Sequence, residues 1–388
     1  MADVDFLVCG AGIAGASIAA ELAAHARVLI VEMEDSAGYH TTGRSAALYI
    51  ASYGNAAIRA LTLASRPFFD APPPGFAEHP LLSPRGCLHI AGPDQLDALE
   101  ALAADLAATG VEARRIDGAA ARALVPILKP EAVAAAIDEP DAADIDVGAL
   151  HAGFLRLAKS RGADLRLSAG ITALRREGDA WRAVLADGTD ATARVVVDAA
   201  GAWGDRVAVL AGARPIGLTP CRRTAMILDP PPGADIARWP AVIDVDEAFY
   251  FKPEAGKLLA SPADETPSEP TDAAPDELDI AICIDRIQQS ADLPVRRVQR
   301  SWAGLRTFTP DRTLAIGYDP AAPGLFWYVG QGGYGMQLAP AAARLGAALA
   351  RREPPPADID AELRRLGLTA EAYSPGRFAG LPAFPQTT

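Results

Sequence analysis

The chain has little of what makes a metalloprotein, a disulfide scaffold or a nucleic-acid binder. Its 388 residues include four cysteines and five histidines. Cys9, Cys87, Cys221 and Cys283 stand far apart, with no CxxC pair and no histidine at metal-ligand spacing. Neither a metal centre nor a disulfide framework is therefore expected, and the thiols read as reduced, as in a cytoplasmic protein. Basic residues are outnumbered, 36 Lys and Arg against 49 Asp and Glu, giving a net charge of −13. No block of Lys and Arg relieves that balance, so a polyanion is repelled and nucleic acid is excluded as a partner. Apolar runs break well short of the roughly 18 residues a membrane span needs. Residues 1–9 are acidic and strand-like rather than a basic region followed by an apolar stretch, so no signal peptide is expected.

What is present is core-building material. Half of the residues are hydrophobic, and the length suits two domains, consecutive or interleaved. The apolar run 6–9 leads into Gly10-Ala11-Gly12-Ile13-Ala14-Gly15; an Ala-rich helical stretch to residue 26 follows, then strand-like 27–32. Together these predict one βαβ unit. The pattern also predicts a helix over 149–161 and strands over 164–167, 171–176, 181–186 and 193–198, with Asp187-Gly188 as a hairpin signal. The run Val195-Val196-Val197 reads as a buried parallel strand. From about 220 to 300 the chain turns Pro-rich, and an irregular, short-stranded antiparallel insertion is expected. Beyond it come a strand over 325–329, the run Gly330-Gln331-Gly332-Gly333-Tyr334-Gly335, a helix over 338–351 and a short tail from Pro354.

A GxGxxG run alone is a weak signal, but here it leaves a strand, opens a helix and is followed by Glu32 at the end of the next strand. Gly10 permits the turn, Gly12 lets backbone approach a pyrophosphate, and Gly15 lets helix and strand pack closely. The helix N-terminus offers N–H donors to phosphate, and Glu32 suits ribose hydroxyls. The same unit serves NAD or FAD. Two further features favour FAD: the small and hydroxyl residues of 38–47, including Thr42, Gly43, Arg44, Ser45 and Ala46, and the second strand-glycine-helix element at 330–335, whose helix terminus could face a reduced flavin ring.

The motifs at 10–15, 42–47, 198–203, 302–306 and 331–335, with 78–85, 222–225 and 249–253, together resemble the D-amino-acid oxidase superfamily of flavoproteins, and within it the bacterial D-arginine dehydrogenases. The resemblance implies an α/β fold: an FAD-binding, doubly wound domain from 1–82, 143–212 and 307–388, and an α+β substrate domain on an antiparallel sheet from 83–142 and 213–306. It also places Ile13, Ala14, Ile171, Gly201, Trp203, Gly332, Gly333, Tyr334, Gly335, Met336 and Gln337 against the cofactor. No cysteine stands near the C-terminal glycines to attach a flavin, so FAD is expected to be non-covalent.

The activity so implied is oxidative deamination of a D-amino acid, the Cα hydrogen passing as hydride to the flavin and the imino acid hydrolysing to a 2-oxo acid and ammonia. The protein's task is then to fix the carboxylate, which arginine's planar fork does better than lysine. The resemblance points to Arg306 and Arg223, with Tyr53, Tyr250 and the backbone of Gly333. Arg222 and Arg223 are adjacent, so on a strand only one can face the site. Two positions depart from the D-arginine dehydrogenases: Cys87 stands for a glutamate that meets the cationic end of the substrate, and Leu48 for a histidine near the flavin. A guanidinium without that partner forgoes about 1.5–3 kcal/mol, so neutral substrates are expected, with Leu48 and Cys87 lining the pocket. The electron acceptor is left open between a quinone, another carrier and oxygen. Alternatives are oxidation of secondary amines or 2-hydroxy acids, and a flavin-binding protein without turnover.

Overall fold

The computed structural model describes residues 3–380; the outermost parts of the expected cofactor domain, 1–2 and 381–388, lie outside the described residues. One sheet has Val4–Cys9 at its centre, parallel to Val28–Val31 on one side and Asp190–Asp198 on the other. Asp164–Arg166 extends it beyond Val28–Val31, and Leu325–Val329 runs parallel to Asp190–Asp198. The hairpin Ile171–Glu177 and Ala180–Leu185 adds antiparallel strands at the far edge. Val28–Val31 and Leu325–Val329 are buried throughout, the continuous apolar pattern of strands covered on both faces. The helices Ile13–Leu22, Val147–Ser160 and Gly335–Ala350 pack together over this sheet. Ile13–Leu22 buries eight of its ten residues, as a helix apolar nearly all round must.

The second sheet is built on the antiparallel pair Thr219–Leu228 and Val298–Phe308. Tyr250–Glu254 and Lys257–Ser261 continue it, followed by Ala241–Asp244, Cys87–Ala91, Ala135–Glu139 and Arg114–Asp117. The helix Glu277–Ser290 covers one face, burying Cys283 and Ile287 with Leu88, Met226 and Phe251. A small third sheet of Leu48–Tyr49, Ala143–Ile145 and Leu82–Pro84 lies where the chain passes between the two larger ones. Among the described residues no helix is long and apolar enough to cross a membrane.

Several expected elements need correcting. The segment 220–300 is short-stranded in its middle, where strands run to five residues at most, but it also holds a ten-residue strand, enters an eleven-residue one and contains the fourteen-residue helix Glu277–Ser290. That helix has its own start signal, Asp276 accepting from the Leu278 N–H and two acids in the first turn. The second sheet is not purely antiparallel, since Ala241–Asp244 runs parallel to Cys87–Ala91. The last long helix begins at Gly335, not 338, so the last glycine of the run is its first residue and the rest of the run is the turn that leads into it. The tail beyond Pro354 forms the helix Ala357–Arg365.

Candidate active site

The strand Val4–Cys9 ends in Gly10, whose φ of +100° is closed to ordinary L-residues and whose Cβ, if it had one, would lie 2.8 Å from the Ala199 carbonyl oxygen. A Cβ on Gly15 would lie 1.8 Å from the Gly10 oxygen, so helix and turn are in backbone contact. At the helix start the Ile13 N–H donates to Thr42 Oγ1 at 3.0 Å. Glu32 is buried and accepts from the Ala11 N–H at 2.7 Å and from the Glu34 N–H at 3.0 Å. His151 Nε2 lies 2.8 Å from the Ala11 carbonyl oxygen. Burial holds this imidazole below its ordinary pKa, so it is neutral and donates there through Nε2–H.

These groups border a cavity of about 1020 Å³, at the upper limit of the roughly 300–1,000 Å³ of small-molecule sites. Gly10, Gly12, Ile13, Ala14 and Glu32 line it, as do Thr42, Arg44, Ser45, Ala46, Ile171, Gly201 and Trp203. Gly332, Gly333, Gly335 and Met336 belong to the same wall, with Arg223, Tyr250 and Arg306. Loop 41–44 is pinned to the strand Val298–Phe308: Thr41 Oγ1 donates to the Leu305 oxygen, Arg44 Nη1 to the Ala303 oxygen, and Trp302 Nε1 to the Arg44 oxygen. The cavity is therefore continuous from the glycine turn of the first sheet to the face of the second.

Register explains which arginines meet there. Cys221 stands opposite Arg306 and Arg223 opposite Gly304. Arg223 and Arg306 are thus diagonal neighbours on one face, a separation that long side chains can bridge. Arg222 points to the other face, where Asp279 accepts from it at 2.7 Å and Asp264 and Asp276 lie close by. Arg306 Nη1 donates to the Tyr53 hydroxyl at 2.8 Å, and among the described residues no carboxylate lies within ion-pair distance of Arg306. Arg223 differs: Glu265 accepts from it at 3.0 Å while also pairing with Arg312, and its own Nε is buried without a partner. A Cβ on Gly333 would lie 2.8 Å from Arg306 Nη1 and 2.9 Å from the Tyr53 oxygen. Only glycine lets the loop come so near both groups.

Some expected residues sit elsewhere. Gly15 and Gly43 are packing contacts rather than lining, Gly43 donating to the Gly38 oxygen. Tyr334 stacks edge-on against Tyr53 at 4.8 Å, and burial pushes its hydroxyl up to about 12. Gln337 accepts from the Ile50 N–H and donates to Thr62. Leu48 and Cys87 do not line the cavity: they pack with Ile50, Tyr53 and Ile243 in a separate apolar cluster. Cys87 Sγ is 3.7 Å from His89 Nε2, and burial raises its thiol pKa. None of the four cysteines lines the cavity. Sequence reasoning missed His151, whose role is visible only through its contact with the glycine turn, and the buried pair His89 and Glu139.

The profile of the family described as FAD dependent oxidoreductase matches residues 5–349. Among solved structures the fold is similar to glycine oxidase from Geobacillus kaustophilus, with a TM-score of 0.78 and 23% identity over 91% of this chain and 96% of that one. It is similar to L-proline dehydrogenase from P. horikoshii, with a TM-score of 0.76 and 21% identity over 97% of each chain. L-alpha-glycerophosphate oxidase from Mycoplasma pneumoniae, dithionite reduced and with FAD bound, gives a TM-score of 0.80 at 17% identity, over 90% of this chain and 94% of that one. Identities this low are likenesses of fold.

Proposed function

The chain belongs to the FAD dependent oxidoreductase family, with FAD as its cofactor, and from that premise we propose that it oxidises the amine-bearing carbon of a neutral D-amino acid. The observation that carries this reading is Arg306, a cavity-lining guanidinium with a tyrosine hydroxyl beside it and no carboxylate of the described chain within ion-pair distance. A half-buried cation of this kind calls for an anion, and its fork fits a carboxylate in two parallel bonds.

Bound FAD supplies the two-electron acceptor. Gly10, Gly12, Ile13 and Ala14 offer backbone to the dinucleotide, and Glu32 the carboxylate for its ribose. Arg306 holds the substrate carboxylate, Tyr53 donates its own hydroxyl proton to it, and Arg223, beside Arg306 on the same face, and Tyr250 complete the wall. Gly333 leaves room for the amino group beside Arg306. Oxidation of the Cα–N bond yields an imino acid, which water hydrolyses to a 2-oxo acid and ammonia. The uncharged side chain rests on the resemblance alone: Cys87 stands where the D-arginine dehydrogenases carry the glutamate that meets a cationic substrate. The cofactor stays non-covalent, the cavity offering no thiol. The same reading assigns 1–82, 143–212 and 307–388 to the FAD domain and 83–142 and 213–306 to the substrate domain.

Anaerobic bleaching of the visible flavin absorption by a panel of D- and L-amino acids, sarcosine and 2-hydroxy acids tests the reading. Rapid bleaching by neutral D-amino acids supports it. A preference for D-arginine, for secondary amines or for hydroxy acids overturns the substrate assignment, and no bleaching by any of them overturns the activity.

A further inference from the structure

Tyr53 lies on a short loop that leaves the strand Leu48–Tyr49 and enters the helix Ala56–Asp70. The backbone N–H groups of this loop are held by side chains from distant parts of the chain. Gln337 accepts from Ile50 at 3.2 Å. Glu139 Oε1 accepts from Ala51 at 2.8 Å and from Ser52 at 3.3 Å. The Tyr53 N–H returns to the Ile50 oxygen at 3.2 Å. Ser52 is clamped again through its other atoms: Oγ lies 3.2 Å from His89 Nε2, and its carbonyl accepts from Arg59 Nε at 2.7 Å.

Among the described residues Glu139 is the carboxylate that accepts from the N–H groups of this loop, and it is 1% exposed. It ends the strand Ala135–Glu139, so its backbone is fixed by the second sheet. Its Oε2 makes no hydrogen bond and faces His89 Nε2 at 3.7 Å. A buried carboxylate with one oxygen wholly spent on two successive loop N–H groups is costly to keep unless the loop's position matters. The tyrosine that follows those N–H groups is the one that meets Arg306.

We propose that Glu139 is a positioning residue of the active site: by holding the Ala51 and Ser52 amides it fixes the Tyr53 hydroxyl against Arg306, and so sets the geometry in which a substrate carboxylate is received. This rests on the reading that Arg306 binds a carboxylate. It ties the second sheet, through one side chain, to the loop that completes the site.

The test uses the FAD-loaded protein and two readouts. Hydrogen–deuterium exchange of the peptide spanning 50–54 reads the loop without any ligand. Benzoate, a carboxylate with no oxidisable carbon, is titrated by its perturbation of the flavin spectrum and reads the carboxylate site, with Arg306→Lys as control. Glu139→Leu removes the acceptor, Glu139→Asp shortens its reach, and Glu139→Gln keeps an acceptor oxygen. The first two are expected to speed exchange over 50–54 and to weaken benzoate roughly tenfold; Glu139→Gln is expected to restore both. In a Tyr53→Phe background Glu139→Asp should weaken benzoate no further. Should Glu139→Leu not fold, Glu139→Asp carries the test alone. Unchanged exchange in the folded variants overturns the proposal, and so does faster exchange with unchanged benzoate affinity while Arg306→Lys still weakens binding. If the wild-type protein does not bind benzoate, the carboxylate reading falls instead, and exchange over 50–54 by itself decides whether Glu139 holds the loop.

Discussion

Arg306 donates through Nη1 to the hydroxyl of Tyr53 at 2.8 Å, joining two points 253 residues apart in the chain. Because the tyrosine oxygen accepts from the guanidinium, its own proton is free to donate elsewhere. The pair thus presents two kinds of donor, one charged and one neutral, to a single anion.

Replacing Arg306 by lysine keeps the charge and loses the fork. Benzoate affinity should fall roughly ten- to a hundredfold, the equivalent of about 1.5–3 kcal/mol. Spectral titration checks it, and the thermal midpoint should change little. An affinity equal to wild type would move the carboxylate site away from Arg306.

The neighbouring arginines should behave oppositely. Arg223→Leu, on the cavity face, is expected to weaken benzoate about tenfold. Arg222→Leu leaves Asp264 and Asp279 without their cation and should lower the midpoint while leaving affinity within twofold or so. Measuring both quantities on both variants separates the two faces of one strand.

Gly15→Ala places a methyl 1.8 Å from the Gly10 oxygen, which the helix can relieve only by moving off the strand. Such a variant should purify with little or no flavin, or fail to fold. The ratio of flavin to protein absorbance reads the first outcome and circular dichroism the second.

Alkaline stability follows from the pair behind Tyr53. Burial opposes a charge on His89, but the Cys87 sulfur and the Glu139 carboxylate outweigh it and lift its pKa from 6.5 to about 10. The folded chain therefore holds this proton more tightly than the unfolded one. Its contribution is complete below about pH 6.5 and is lost as pH rises towards 10. Cys87, raised by burial, acts in the same direction. The thermal midpoint should decline between pH 7 and 10, and His89→Gln should flatten that decline; an unchanged slope in the variant would assign it to other groups.

Much of this was readable along the chain because it rests on local chemistry. The run from Gly10 to Gly15, the acid at 32 and the apolar strand at 325–329 declare themselves through neighbours a few residues away. Arg306 stands out as the charge in the otherwise apolar stretch that starts at Trp302, and strand alternation alone requires that Arg222 and Arg223 part company. The helix Glu277–Ser290 is missed in the sequence because the surrounding prolines mask its signals, Asp276 as cap and Ile280, Cys283, Ile284 and Ile287 on one stripe. Glu139 and His89 were not legible. Their partners lie 88 and 37 residues away, and nothing in the local sequence of either marks it as more than a strand residue. Leu48 and Cys87 were expected on the cavity wall, and the fold places them in the cluster behind Tyr53.

The pairing of Thr219–Leu228 with Val298–Phe308 gives the site an address system based on parity. Odd positions of the first strand, Arg223 and Ala225, and even positions of the second, Gly304 and Arg306, share the face that carries the two arginines. Substitutions at Gly304 or Ala225 would grade the shape of the pocket while leaving the addresses intact. A single inserted or deleted residue ahead of Arg223 would reverse parity and offer Arg222 to the cavity. Length in these strands is therefore a switch, and residue identity a dial; redesign of this pocket can proceed by exchange, or by insertion in pairs, but not by ones.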